Sequence, residues 1–231
     1  MPGGVLALST GSQIKLTGVL MPQPPLNPGW KAVATRARLA LKELRTLISG
    51  QKIRFALKAP RDRHGRPLVN VFFGRKTWLQ SDMVARGVAR VDPEMPGSEC
   101  VTQLLKREAA ARAAGAGFWA DRDYQVQPAW ATRRLRRLEH TFQIVSGRVL
   151  KVADTKRFTY LNFGKDWRTD FTASIKSRTA RHLAEAGLKL SELEGRNIRV
   201  RGWITYRNGP MIEITQSGQI EVTGKQKGPG N

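Results

Sequence analysis

The residues best equipped for chemistry in this chain are cations set beside aromatic rings. In Asn197-Ile198-Arg199-Val200-Arg201-Gly202-Trp203-Ile204, strand alternation puts Ile198, Val200 and Ile204 on one face and Arg199, Arg201 and Trp203 on the other. Guanidinium groups interleaved with an indole make a surface that tracks phosphates and stacks bases. Tyr160, Trp167 and Tyr206 add rings near predicted strand ends and loops, with Lys165, Arg168 and Arg207 beside them. The densest basic cluster is Thr132-Arg133-Arg134-Leu135-Arg136-Arg137-Leu138. Its leucines, three apart, predict a helical turn with Arg133, Arg134, Arg136 and Arg137 outward. A third set, Asp62-Arg63-His64-Gly65-Arg66, falls in a polar turn between two apolar runs. There Arg63 and Arg66 offer guanidinium forks to a phosphate, or Arg66 pairs with Asp62 and fixes the turn; both readings stand at this point.

Other kinds of chemistry lack the residues they need. Among residues 1–60 the only carboxylate is Glu43, so the segment containing Leu20, Met21 and Gln23 offers no anionic oxygen to a hard divalent cation. The later carboxylates Asp62, Asp92, Glu94, Glu99, Asp121 and Asp123 are expected to serve turns, helix starts and solubility. His64, His140 and His182 have no metal-ligand spacing, and the single Cys100 excludes an internal disulfide and any cysteine-rich metal site. No metal and no cofactor are expected. No serine or cysteine nucleophile system is recognisable, and Glu108, beside Leu104 and Leu105 at helical spacing, is expected as a buried or half-buried partner of a backbone group or an arginine.

The 231 residues carry 40 Lys and Arg against 18 Asp and Glu, a net charge of +22. Both halves are basic, and a field of this size points to polyanionic partners, DNA or RNA first and an anionic membrane surface second. Hydrophobic residues at 40% and charged residues at 25% are ordinary for a folded chain, which argues against extended disorder. No apolar run approaches the roughly eighteen residues of a transmembrane helix, so no membrane span is expected. The start lacks a basic segment followed by an apolar one, so the chain as written is expected in the cytoplasm; a start further upstream carrying a signal peptide would make it exported.

The elements that must position these residues follow from periodicity. Val5–Leu8 and Ile14–Leu16 read as a hairpin, and the proline-rich stretch from Met21 to Gly29 as a loop. A helix is predicted over 32–48, strands over 52–58 and 68–72, and a helix capped by Thr77 and stopped at Gly87. A further helix runs from Ser98 to Gly115. From Phe142 the pattern is β-rich: strands over 142–152, 158–163 and 171–175, a helix over 179–186, and strands over 197–206 and 211–214. Three strands, a helix and two strands is the order of an OB-fold barrel. The expected organisation is an α+β chain with a first domain at 1–125, a basic linker at 126–141, an OB-like β-barrel at 142–223 and a tail at 224–231.

The ordered blocks Asp62-Arg63-His64-Gly65-Arg66, Trp78-Leu79-Gln80 with Ala85-Arg86-Gly87, Leu104-Leu105-Lys106-Arg107-Glu108 and Gly117-Phe118-Trp119 resemble the thermonuclease, or staphylococcal-nuclease-like, family. The resemblance covers roughly residues 5–125 and implies a five-stranded OB barrel with three helices. In that family two aspartates and a backbone carbonyl hold Ca²⁺, a glutamate is the candidate base and two arginines meet the scissile phosphate. By resemblance Arg66 takes one phosphate position, Lys15 replaces the other arginine, Leu20 stands where the motif aspartate belongs, and Gln23 replaces the glutamate, with Met21 between them. The reading that follows is a nucleic-acid-binding protein lacking the Ca²⁺-dependent hydrolysis of the family. Its alternatives are an endonuclease whose metal ligands lie elsewhere, for which Ca²⁺ would be required, and a protein-interaction scaffold.

Overall fold

The computed structural model describes residues 4–8, 10–23, 31–59, 61–62, 64–93 and 98–224. The fold is mixed α+β, and the chain divides between Arg122 and Asp123 into two compact units. Arg63, the prolines after Gln23 and the last seven residues lie outside the described residues.

In the first unit, β1 (Val5–Ala7) and β2 (Gln13–Leu16) form the expected hairpin. They are followed by β3 (Val19–Leu20), α1 (Lys31–Ile48), β4 (Ile53–Ala59), β5 (Leu68–Phe73), β6 (Thr77–Trp78), α2 (Leu79–Ala85), β7 (Arg90–Val91) and α3 (Ser98–Ala113). The sheet runs β1-β2-β5-β4, with β6 also on β5 and β2 parallel to β5. Ile14, Leu16, Val69 and Val71 are buried along it, with Leu79, Met83 and Leu104 supplied by the helices. Between sheet and α2 sits a polar tie. The buried Gln80 amide accepts the Val71 N–H at 3.1 Å and donates to the Val69 carbonyl at 2.8 Å, and Thr17 donates to Asn70 Oδ1 at 2.7 Å. Each buried polar atom named here has its partner, as burial demands.

Thr77 does not cap α2. It lies in β6 opposite Phe73, and the helix starts one residue after Trp78 with no side-chain cap. Gly87 does end the helix region, with φ +68°, and a Cβ there would run into the Ala116 carbonyl; its own carbonyl accepts the Phe118 N–H at 3.1 Å. That contact closes α2 against the turn that follows α3.

The second unit begins earlier than the sequence reading placed its barrel. It comprises β8 (Gln127–Pro128), α4 (Thr132–Arg137), β9 (Phe142–Arg148), β10 (Lys151–Asp154), β11 (Phe158–Asn162), β12 (Thr172–Lys176), α5 (Ser177–Glu185), β13 (Asn197–Tyr206), β14 (Pro210–Ile214) and β15 (Ile220–Val222). Residues 126–141, expected as a linker, are packed into it: β8 pairs with β9, and Leu135 of α4 is fully buried in the core with Val145, Phe171, Ile204 and Ile212. The leucine in the arginine run is the reason, since one apolar side chain per turn is enough to anchor a short helix on a core.

The single strand expected over 142–152 is two. Val149 donates its N–H to Arg196 on one side, and Leu150 donates to Asn162 on the other, so the backbone changes partners at this corner. Strand order is β10-β11-β12-β14-β13-β9-β8, with β15 also on β13, β12 and β14 parallel, and β9 leading directly into β10. Val145, Leu161, Ala173, Ile175, Ile198, Val200 and Ile212 belong to one core. Phe171 belongs to this core, with Phe163 packed against it at a ring distance of 5.1 Å. Phe158 lies outside this core cluster. It alternates with the buried Thr159 and Leu161 and stacks on Tyr160 at 5.8 Å on the outer face.

Candidate nucleic-acid interface

In the first unit, the turn after β4 is built by one carboxylate. Asp62 Oδ1 accepts the N–H groups of His64 and Arg66, both at 2.9 Å, and Oδ2 accepts Arg66 Nε at 2.8 Å and meets its terminal nitrogen at 2.7 Å. Burial of the carboxyl opposes its ionisation. The hydrogen bonds from the Arg66 side chain and from the two amides, with the Arg66 charge, outweigh that and hold Asp62 at about 2. The pairing of Arg66 with Asp62 is therefore present, and it uses one edge of the guanidinium. Lys15 lies in the middle of the sheet with its N–H on the Pro67 carbonyl at 2.9 Å, which brings β2 alongside this turn. Lys15 is thus paired with Leu68, two residues after Arg66.

Leu20 is half-buried opposite Arg90 in the β3–β7 ribbon, Met21 is 2% exposed, and Gln23 is exposed. These side chains do not fit a Ca²⁺ ion. An alkyl group and a thioether packed inward have no hard oxygen to give, and one neutral amide is a poor substitute for two carboxylates. Asp62 does not replace them, because both its oxygens are occupied as described. Among the described residues, no three His, Cys, Asp or Glu side chains are grouped as metal ligands.

Glu108 behaves as a structural partner. It is fully buried, accepts the Val91 N–H at 2.8 Å and pairs with Arg112 at 2.9 Å. Arg112 and Arg90 both lie near the buried Trp119 ring, at 5.9 and 5.6 Å from its centroid, so two of the cations in this unit are bound to its interior.

Residues 13–121 match the family model described as staphylococcal nuclease homologue. The matched stretch lies inside the first unit, ends one residue before the division at Arg122, and indicates a nuclease-type fold there, of a family that generally binds nucleic acid. No curated protein matches the chain.

The second unit carries most of the remaining cations. Arg133, Arg136 and Arg137 of α4 are exposed, whereas Arg134 is half-buried and pairs with Asp123 at 2.8 Å. Arg136 lies over the Tyr206 ring at 5.0 Å, and Arg168 over the Trp167 ring at 5.2 Å. Lys165 and Arg207 are exposed, and Tyr160 is half-buried on the outer sheet face against Phe158. Trp203 is 47% exposed and meets Phe142 edge-on at 6.1 Å.

Arg201 does not join that surface. It is 1% exposed and its guanidinium faces Glu221 at 3.6 Å, while Arg199 pairs with the same carboxylate at 2.6 Å. β15, a short strand absent from the sequence reading, pairs with β13 and places Glu221 opposite Arg199. A strand read as having one free face is flanked there by β9 and β15 together. The sequence reading also passed over Trp130, which at 84% is the most exposed large hydrophobic residue described. Its signal was position, an indole between Pro128 and the arginine run.

Proposed function

We propose that the protein binds nucleic acid through backbone phosphates and that its nuclease-homologue domain does not run Ca²⁺-dependent phosphodiester hydrolysis. The observation that carries this is the side-chain set of the segment that corresponds by resemblance to the family's site. Leu20 stands for the metal aspartate and Gln23 for the base, Asp62 is saturated by its own turn, and the whole chain has a charge of +22. A cation-rich surface attracts the polyanion, and without hard ligands the ion that would polarise the phosphate has no seat. We read the sheet of the second unit as an OB-type barrel, and take the chain as a nuclease-fold domain over about 1–122 joined to it.

The test is degradation of plasmid and oligonucleotide in Ca²⁺ and in EDTA, alongside binding measured across a salt series. Binding that weakens steeply with salt, with no cleavage in either condition, is expected. Ca²⁺-dependent cleavage lost in Arg66→Ala would show an active endonuclease instead, and weak, salt-insensitive binding would favour a protein-docking scaffold.

A further inference from the structure

Two exposed rings of the second unit, each with an arginine over it, come from segments far apart in sequence, and the β13–β14 turn brings them to one end of the barrel. Tyr206 ends β13 under Arg136, and Trp167 lies in the loop before β12 under Arg168. The turn between β13 and β14 joins them: at Gly209, φ +137°, a Cβ would lie 2.6 Å from the Asp170 carbonyl oxygen and 3.2 Å from Thr169. The two loops therefore touch, and only glycine permits the approach.

The Trp167 loop is held by its own carboxylates. Asp166 accepts the Arg168 N–H at 3.0 Å and the Thr169 hydroxyl at 3.2 Å, and Asp170 accepts the Asp166 N–H at 2.9 Å. Both acids of the loop are thus turned to its backbone and hydroxyl groups. Arg133, Arg137 and Arg207 make no ion pair among the described residues. Trp167 is 55% and Tyr206 40% exposed, so each ring has a side open to solvent while a guanidinium covers another part of it. A duplex keeps its base faces stacked inside and would use only the cations of such a surface. A single strand presents bases that can stack on the rings while its phosphates run along the arginines.

We propose that this end of the second unit seats single-stranded nucleic acid, one base on Tyr206 and one on Trp167, with the backbone tracked by Arg133, Arg137 and Arg207. The proposal rests on the nucleic-acid reading above and specifies its ligand. It moves the binding surface of the second unit away from the middle of β13, where Arg199 and Arg201 are committed to Glu221.

The full chain is titrated against a labelled oligothymidylate of about twenty nucleotides and against a duplex of equal length, with fluorescence anisotropy as the readout. Trp167→Leu and Tyr206→Leu, alone and together, remove the rings. Each single variant is expected to weaken oligothymidylate binding about 5-fold or more, from roughly 1 kcal/mol or more of stacking per base, and to leave duplex binding unchanged. Trp167→Phe with Tyr206→Phe, which keeps two rings, is expected to restore most of the affinity. Equal binding of both probes, indifferent to the leucine variants, would overturn this site while leaving nucleic-acid binding intact. Binding of neither probe would remove the broader reading as well. Both positions are on the surface, so the single variants keep the test decisive if the double variant fails to fold.

Discussion

Asp62 shows how much one side chain settles. Four contacts converge on its two oxygens, and its pKa of about 2 lies below that of an unstructured aspartate. A depressed folded-state value means stability that is fully present above the unfolded value near 4, shrinks as pH falls, and is gone below about 2. Asp62→Asn is expected to lower stability by about 1–2 kcal/mol at neutral pH, with the gap to the parent closing as pH falls from about 4 to 2. Thermal unfolding followed across that range checks it, and a gap that persists unchanged at the acid end would contradict the assignment. The turn itself was legible from Asp62-Arg63-His64-Gly65-Arg66, because an aspartate ahead of a glycine has few other uses there. Glu108 was legible too, since a carboxylate on the inner face of a helix must find donors. Arg201 was not. The carboxylate it faces, Glu221, lies twenty residues later in a three-residue strand whose pattern is too short to be read from periodicity.

At the scale of elements, α4 is the instructive case. Its arginines made residues 126–141 look like a solvated connection, and the one residue that decides otherwise is Leu135, fully buried among core residues of the second unit. Leu135→Ala is expected to destabilise that unit by about 2–5 kcal/mol, the range for deleting a buried leucine side chain. Arg133→Ala, at an exposed position, should stay within about 0.5 kcal/mol. Chemical denaturation of the two variants separates these outcomes; equal, small effects would mean that α4 is only loosely attached. Long elements such as α1, β5, β11 and β13 were readable because each has several turns or alternations of pattern. The two-residue strands β3, β6, β7 and β8 were not, because pairing partners rather than their own residues define them. The split of β9 from β10 was hidden for a related reason, since a corner where the backbone changes partners leaves the apolar alternation almost intact.

For the whole molecule, the charge of +22 is the property most visible from sequence and the least specific. Neutralised phosphates release counterions, so log affinity should fall with log salt by about 0.7–0.9 per phosphate contact. Replacing Arg133 and Arg137 together by glutamine is expected to lessen that slope by about one to two units, if each supplies one backbone contact as proposed. A slope unchanged by the double replacement would place the phosphates elsewhere on the chain. The two units also differ in where they keep their indoles. In the first, Trp119 is 3% exposed beside two arginines and Trp78 is half-buried; in the second, Trp130, Trp167 and Trp203 are 84%, 55% and 47% exposed. Among the described tryptophans, then, long-wavelength emission open to acrylamide originates in the second unit and shielded emission in the first. The five described indoles thus give the unlabelled protein an optical contrast between its two units.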